Sequence, residues 1–167
     1  MKKKGTILVV DDNEEILIAL ELFLSEYFEE IVTSKNPNLI PSLLEKCTFD
    51  LYILDMNFTA GINSGNEGLY WMKEIRKYDP DAIVIFITAY GDIRLSVKAI
   101  KEGATDFIQK PWEDEKLLGT LFSSWELRRS KDEISRLKLK HRQLLESLDE
   151  KNHFFIGKSK AMLAIRQ

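Results

Sequence analysis

Five short hydrophobic segments alternate with amphipathic segments through the first two-thirds of the chain. Each is four to six residues long and bounded by polar or turn-forming residues, which is typical of strands. The predicted strands are Thr6–Val10, Ile31–Ser34, Phe49–Leu54, Ile83–Ile87 and Asp106–Gln109. Between them, hydrophobic residues recur at the spacing of one helix face. Strands that are hydrophobic on both faces and joined by helices form a parallel sheet covered on both sides, so the pattern predicts an α/β fold with a doubly wound five-stranded sheet.

The pattern changes after Glu113 and predicts one long helix. Through Asp149 the sequence has no proline, and Gly119 is its only glycine. Hydrophobic residues occupy two positions of a heptad, Leu127, Ile134 and Leu148 on one and Leu137 and Leu144 on the other, with His141 and Ser130 as polar exceptions. This seam predicts a coiled-coil linker over residues 126–152 that holds two copies together as a homodimer. A solvated helix that packs on its own domain is the alternative.

Composition narrows the classes of function. The chain has 167 residues, of which 44% are hydrophobic and 31% charged, as in globular proteins. Its 24 Lys and Arg against 27 Asp and Glu give a formal net charge of −3, which offers no argument for binding nucleic acid or a membrane surface. A single cysteine, Cys47, excludes an internal disulfide. No apolar run approaches the ~18 residues of a membrane span or forms a signal peptide, so we expect a cytoplasmic location.

Polar residues stand where the predicted strands end. Asp11 and Asp12 follow the first strand, Asp55 the third and Thr88 the fourth, while the fifth leads into Lys110. Ligands of open α/β sheets bind at these carboxyl ends. If the first and third strands are neighbours, three carboxylates converge and require a cation, and their hard oxygen atoms suit Mg²⁺. Helix capping is the alternative for each aspartate taken alone.

The stretch from Met56 to about Asn66 is long for a connection between a strand and a helix. It leads through Gly61 and Gly65 to Gly68, which raises the possibility of a phosphate cradle. No Gly-Lys-Ser/Thr follows, so a flexible loop is the favoured interpretation.

Four short motifs together resemble the receiver domain of bacterial response regulators. They are Val9-Val10-Asp11-Asp12, Leu54-Asp55-Met56, Thr88-Ala89 and Lys110-Pro111. The resemblance covers about residues 5–125, and we assign residues 1–125 to the receiver domain. It implies a flavodoxin-like sheet of strand order 2-1-3-4-5, here followed by an extended C-terminal helix.

The resemblance implies that a partner sensor histidine kinase phosphorylates Asp55. Asp12, Asp55 and the backbone carbonyl of Asn57 would bind Mg²⁺ directly, and Asp11 would act through water. The long loop, which lacks the proline that usually follows the phosphorylated residue, is a departure from the family. This departure affects two expected features: the Mg²⁺-binding carbonyl of Asn57 and the lifetime of the phosphoryl group on Asp55. Our hypothesis is that the loop covers Asp55 or shapes kinase recognition.

The resemblance also implies roles for residues on the fourth and fifth strands. Thr88 and Lys110 would contact the phosphoryl oxygens, and Phe107 occupies the position of the switch aromatic. A phosphate on Asp55 would draw Thr88 inward and leave space for Phe107. Core packing is the alternative interpretation of Phe107.

The segment from Tyr90 to Phe107 resembles receivers of sigma-54-dependent, NtrC-type transcriptional activators. The tail from Phe155 to Met162 resembles the start of their AAA+ ATPase domain, so we interpret residues 153–167 as a stub of that domain. Gly157-Lys158-Ser159 is not a phosphate-binding loop, because position 152 is not glycine. We therefore expect a longer protein whose partners are sigma-54 RNA polymerase and DNA, with no nucleic acid bound by this segment.

Two other functions are alternatives to a phosphorylated switch. A phosphatase that resembles haloacid dehalogenases needs a second aspartate two residues after the nucleophile, and Asn57 cannot serve. A dimerisation module that works without phosphorylation would not need the five charged and polar strand-end residues, because buried charges cost desolvation energy. We expect no enzymatic activity beyond the protein's own phosphotransfer and dephosphorylation.

Overall fold

A computed structural model describes residues 2–59 and 64–164, and their side chains up to residue 154. The elements in chain order are β1 (Lys4–Val10), α1 (Glu14–Leu24), β2 (Phe28–Ser34), a 3₁₀ turn (Pro37–Leu39), α2 (Ile40–Lys46), β3 (Leu51–Asp55), α3 (Asn66–Tyr78), β4 (Val84–Thr88), α4 (Ile93–Lys101), β5 (Asp106–Gln109) and α5 (Asp114–Ala164). The chain divides into two compact units, Met1–Arg129 and Ser130–Gln167.

The five strands form one parallel sheet in the order β2-β1-β3-β4-β5. This confirms the predicted flavodoxin-like, doubly wound fold. The strand order reverses between β1 and β3, where Val10 lies beside Leu54. On the other side of β3, Asp55 lies beside Ile87. The carboxyl ends of β1, β3 and β4 therefore meet at one edge of the sheet.

Alternate residues of the central strands supply two separate cores, one on each face. Leu8, Val10 and Leu54 belong to the core that α3 and α4 cover. Val9 and Ile53 point to the opposite face, toward α1 and the first turns of α5. Because both faces are buried, the register of the strands is fixed, and with it the height at which each strand-end side chain emerges.

The edge strand β2 is longer than its hydrophobic pattern indicates. The sequence predicts a strand from Ile31, whereas β2 begins at Phe28 and includes the exposed Glu29 and Glu30. An edge strand has fewer neighbours to cover its side chains, so charged residues are tolerated there. The prediction was too short because it relied on hydrophobic residues alone.

The final helix is continuous over 51 residues, from Asp114 to Ala164. The predicted long helix is therefore confirmed, and it extends beyond residue 152, where the predicted linker ends. The first compact unit reaches Arg129, a few residues past the predicted receiver boundary at residue 125. Within that unit Arg128 donates to both Asp79 carboxylate oxygens, at 3.0 and 2.8 Å, and to the Asp81 carbonyl. These bonds explain why the unit includes this turn of α5.

Across residues 2–59 and 64–164, no helix is both long enough and apolar enough to cross a membrane. The tail assigned to an AAA+ stub continues α5 as far as Ala164, and its side chains beyond residue 154 lie outside the described ones. That assignment stays a prediction.

Candidate functional site

Three aspartates converge at the reversal of strand order. Asp11 follows β1, Asp12 is the next residue, and Asp55 ends β3. Each offers a carboxylate oxygen, and these oxygens all lie within 4.8 Å of one another. Asp11 and Asp55 are buried, whereas Asp12 is exposed to solvent. The parallel pairing of β1 with β3 creates this cluster, as the sequence predicted.

Lys110 brings a positive charge to the same place. Its Nζ lies 2.9 Å from Asp11 Oδ2 and 3.4 Å from Asp55 Oδ1. Burial lowers the pKa of the Lys110 ammonium, but the bonds and charges of Asp11 and Asp55 outweigh burial and raise it. Lys110 therefore stays protonated, and the single ammonium faces two buried carboxylates. The peptide bond that links it to Pro111 is cis.

The environment of Asp55 raises the pKa of its carboxyl strongly. Burial raises the pKa of its carboxyl, the charge of Asp11 raises it further, and Lys110 opposes both effects, so the pKa is about 7. The raised pKa shows that the Lys110 ammonium offsets only part of the cost of burying the Asp55 charge beside Asp11. A cation bound to these oxygens would relieve the repulsion, and an all-oxygen donor set open to solvent on the Asp12 side suits Mg²⁺.

Thr88 is the last residue of β4, at the sheet edge where the aspartates lie, and its side-chain hydroxyl is buried. Its residue is buried, and its Oγ1 has no hydrogen-bond partner within the described part of the chain. Buried polar atoms are nearly always paired, so this hydroxyl is a donor available to an added group. An anion with several oxygens, placed against Asp55, is the kind of group that would satisfy it.

Asn13 contacts the acidic cluster, and the sequence interpretation missed it. Its backbone N–H donates to Asp11 Oδ1 at 2.8 Å. Its side-chain oxygen accepts from the N–H groups of Glu15 and Ile16 and so caps α1. The signal was present, because asparagine followed by two glutamates is typical of a helix start. The cap thereby fixes the loop that carries Asp11.

Phe107 lies on β5, paired with Phe86 of β4. It is half-buried and packs against the core that α3 and α4 cover. Partial burial leaves it with contacts on one side and solvent on the other. Its role as a switch stays a prediction.

The loop that follows Asp55 is long, as predicted, and α3 begins only at Asn66. Gly68, in the first turn of α3, packs directly behind the acidic cluster. A Cβ on Gly68 would lie 2.9 Å from the Met56 carbonyl oxygen and 3.0 Å from the Asp55 carbonyl oxygen, so glycine permits this approach. Residues 60–63 lie outside the described residues, and Gly61 is among them. The hypothesis that the loop covers Asp55 stays a prediction.

The predicted seam residues of the linker are all partly exposed. They are Leu127, Ile134, Leu137, Leu144 and Leu148, and their exposed fractions run from 41% to 57%. Leu139 and Leu145, outside the predicted seam, are similarly exposed. Rows of exposed leucine on a long helix are typical of an interface with another helix. The homodimer stays a prediction.

Residues 7–122 match the family described as the response regulator receiver domain, and the chain belongs to this family. The resemblance drawn from the sequence motifs is confirmed.

Among curated proteins, nodulation protein W of Bradyrhizobium diazoefficiens is 30% identical over 146 residues, covering 87% of this chain and 62% of that protein. The C4-dicarboxylate transport transcriptional regulatory protein DctD of Pseudomonas aeruginosa, a regulator of the NtrC type, is 33% identical over 106 residues, covering 62% and 21%. The chain thus spans between about a fifth and three-fifths of the length of these relatives.

Solved structures show the same fold. The N-terminal signal receiver domain of a two-component response regulator from Bacteroides fragilis is 41% identical, with a TM-score of 0.66, and covers 74% of this chain and 98% of that one. NtrX from Brucella abortus, crystallised with ATP, is 30% identical with a TM-score of 0.70, covering 80% of this chain and 29% of that one. The receiver domain is therefore the shared part.

Proposed function

We propose that the protein is a two-component response regulator in which Asp55 accepts a phosphoryl group from a phosphohistidine of a sensor kinase. The observation that carries the proposal is the meeting of five side-chain groups at one edge of the sheet. The three carboxylates lie within 4.8 Å of one another and the Lys110 ammonium bridges two of them. The buried Thr88 hydroxyl has no hydrogen-bond partner among the described residues. Core packing explains none of these features.

Asp55 acts as the nucleophile. One carboxylate oxygen attacks phosphorus, the bond from phosphorus to the imidazole nitrogen breaks, and its electron pair stays on the histidine. Asp12, Asp55 and the Asn57 carbonyl would bind Mg²⁺ directly and Asp11 through water. When bound, Mg²⁺ supplies charge neutralisation between the carboxylates and the incoming phosphoryl group. Lys110 holds its positive charge beside the oxygen atoms that become more negative.

The phosphoryl group then acts as a switch. It adds a charge of about −1.5 to −2 and three acceptor oxygens. The Thr88 hydroxyl, which has no partner in the part of the chain that the structure describes, turns toward these oxygens and donates to one of them. The space it leaves admits the half-buried ring of Phe107. A local charge thereby changes the packing of the β4 and β5 surface.

The output proceeds through the linker helix. Ile134, Leu137, Leu144 and Leu148 present hydrophobic surface that a second copy would bury. In a longer protein of the NtrC type, this dimer would control an AAA+ ATPase that acts on sigma-54 RNA polymerase at DNA. Similarity to DctD supports this placement, and a cytoplasmic location follows from the proposed partners.

The second candidate is a dimerisation module whose dimer does not depend on phosphorylation. The exposed seam residues support this candidate as well as they support the first. Sedimentation of the whole chain with Mg²⁺, with and without beryllofluoride as a mimic of the acyl phosphate, separates the two. For the wild type we expect the mimic to change the monomer–dimer equilibrium, and for Asp55→Asn we expect no change. A mass that beryllofluoride leaves unaltered in both proteins would favour the second candidate.

A further inference from the structure

The side chain of Asn57 has a bond that its expected role as a backbone ligand does not explain. Its Oδ1 accepts the N–H of Gly65 at 2.7 Å, across the long loop. The preceding residue is fixed as well, because the Met56 N–H donates to the Ile87 carbonyl and the Met56 carbonyl accepts from the Gly68 N–H, both at 3.1 Å. The backbone that follows Asp55 is therefore held from β4, from α3 and from the far end of the loop.

A second contact closes the loop one step farther out. Glu67, in the first turn of α3, accepts two bonds from Thr59: its Oε1 from the backbone N–H at 3.1 Å and its Oε2 from the hydroxyl at 3.0 Å. A carboxylate in the first turn of a helix is also favoured by the helix dipole. The two contacts join residues 57 and 59 to residues 65 and 67, on either side of residues 60–63.

The far end of the loop is itself anchored. Gly65 has a φ of +71°, which glycine adopts without strain. A Cβ at this position would lie 2.8 Å from Leu95 Cδ2 of α4 and 3.0 Å from Met56 Cε. Gly65 is thus pressed between α4 and the start of the loop, and it offers Asn57 a fixed donor.

We propose that the Asn57 side chain and the Thr59–Glu67 pair are positioning groups that aim the Asn57 carbonyl at the metal site. The inference rests on the proposed function, in which that carbonyl is a direct ligand of Mg²⁺. Mg²⁺ demands near-ideal octahedral geometry, so an oxygen donor on an unbraced ten-residue connection would bind it poorly. The bonds to Gly65 and Thr59 restrict the backbone around Asn57 before Mg²⁺ binds. In a short loop the length of the connection would impose this restriction.

The inference is tested by the affinity for Mg²⁺, measured by isothermal titration calorimetry on the whole chain. Asn57→Ala and Glu67→Ala are each expected to weaken binding roughly tenfold, as for other groups that orient a metal ligand. At saturating Mg²⁺, phosphorylation of Asp55 in Glu67→Ala by acetyl phosphate should return close to the wild-type rate, because the nucleophile, Lys110 and the proposed Mg²⁺ ligands are unchanged. Glu67→Gln, which retains hydrogen-bonding groups for Thr59 but no charge, should bind Mg²⁺ nearly as well as the wild type.

Asp50→Ala is the matched control and should bind Mg²⁺ like the wild type. Asp50 Oδ2 likewise accepts the backbone N–H and the hydroxyl of a threonine, Thr6, at 2.8 and 3.3 Å, but at the amino ends of β1 and β3, opposite the acidic cluster. Equal losses of Mg²⁺ affinity in Glu67→Gln and Glu67→Ala would overturn the inference, since charge alone would then explain them. Wild-type affinity in both Asn57→Ala and Glu67→Ala would overturn it as well. Should Asn57→Ala fail to fold, the Mg²⁺ affinities of Glu67→Ala and Glu67→Gln test the inference. A wild type that neither binds Mg²⁺ nor becomes phosphorylated would instead contradict the proposed function.

Discussion

The magnesium-free protein is expected to lose stability as the pH rises from about 4 to about 7. Burial and the charge of Asp11 raise the pKa of Asp55 from 3.8 to about 7 in the folded state. Over this range the folded protein binds more protons at Asp55 than the unfolded chain does, so the free energy of unfolding decreases with pH. At 1.36 kcal/mol per pKa unit, the accumulated loss is on the order of 4 kcal/mol above pH 7. Below pH 4 the penalty is absent.

Urea unfolding in the presence of a chelator measures this effect. Asp55→Asn removes the titrating group, so the variant should exceed the wild type in stability by about 2–4 kcal/mol at pH 8 and by little at pH 4. Asp149→Asn, an exposed aspartate of the linker, is the control and should follow the wild type at every pH. A stability difference between wild type and Asp55→Asn that does not depend on pH would contradict the raised pKa of the buried Asp55 carboxyl.

The second large effect is expected in the linker. Ile134 is about half exposed and lies at the seam position shared with Leu127 and Leu148. In a dimer it would face its copy, so Ile134→Glu would place two like charges together in a desolvated seam. We expect at least a tenfold weaker dimer, corresponding to about 1.4 kcal/mol or more, as measured by sedimentation equilibrium.

Gln143→Glu is the control for this prediction. It adds the same charge to the same helix, but at a heptad position that faces away from the seam. This variant should dimerise like the wild type. An Ile134→Glu protein with wild-type mass would mean that the helix does not pair through this seam.

The site could be predicted from the sequence to the extent that topology determines it. Parallel strands bring their carboxyl ends to one edge, so the positions of Asp11, Asp55, Thr88 and Lys110 after hydrophobic runs were enough to place them together. This inference depends only on which residue follows which strand. The strand order itself came from the resemblance of the motifs to those of receiver domains.

What the sequence did not reveal depends on distances between segments that are far apart or irregular. The bond from Asn57 to Gly65 crosses a loop with no periodic pattern, and the edge strand β2 contains glutamates that hide its beginning. The elevated pKa of Asp55 comes from burial and from the proximity of Asp11, neither of which can be read from residue order. Likewise, that the Thr88 hydroxyl has no partner among residues 2–59 and 64–154 follows from the folded structure and not from residue order.

The central claim, that Asp55 accepts a phosphoryl group, is tested most directly by locating the acyl phosphate. The whole chain is incubated with acetyl phosphate and Mg²⁺, reduced with borohydride to convert the acyl phosphate to homoserine, and analysed by peptide mass spectrometry. The account predicts homoserine at position 55 in the wild type, and none when a chelator is present or in Asp55→Asn. An unmodified Asp55 in the wild type, or equal phosphorylation of Asp55→Asn, would contradict it.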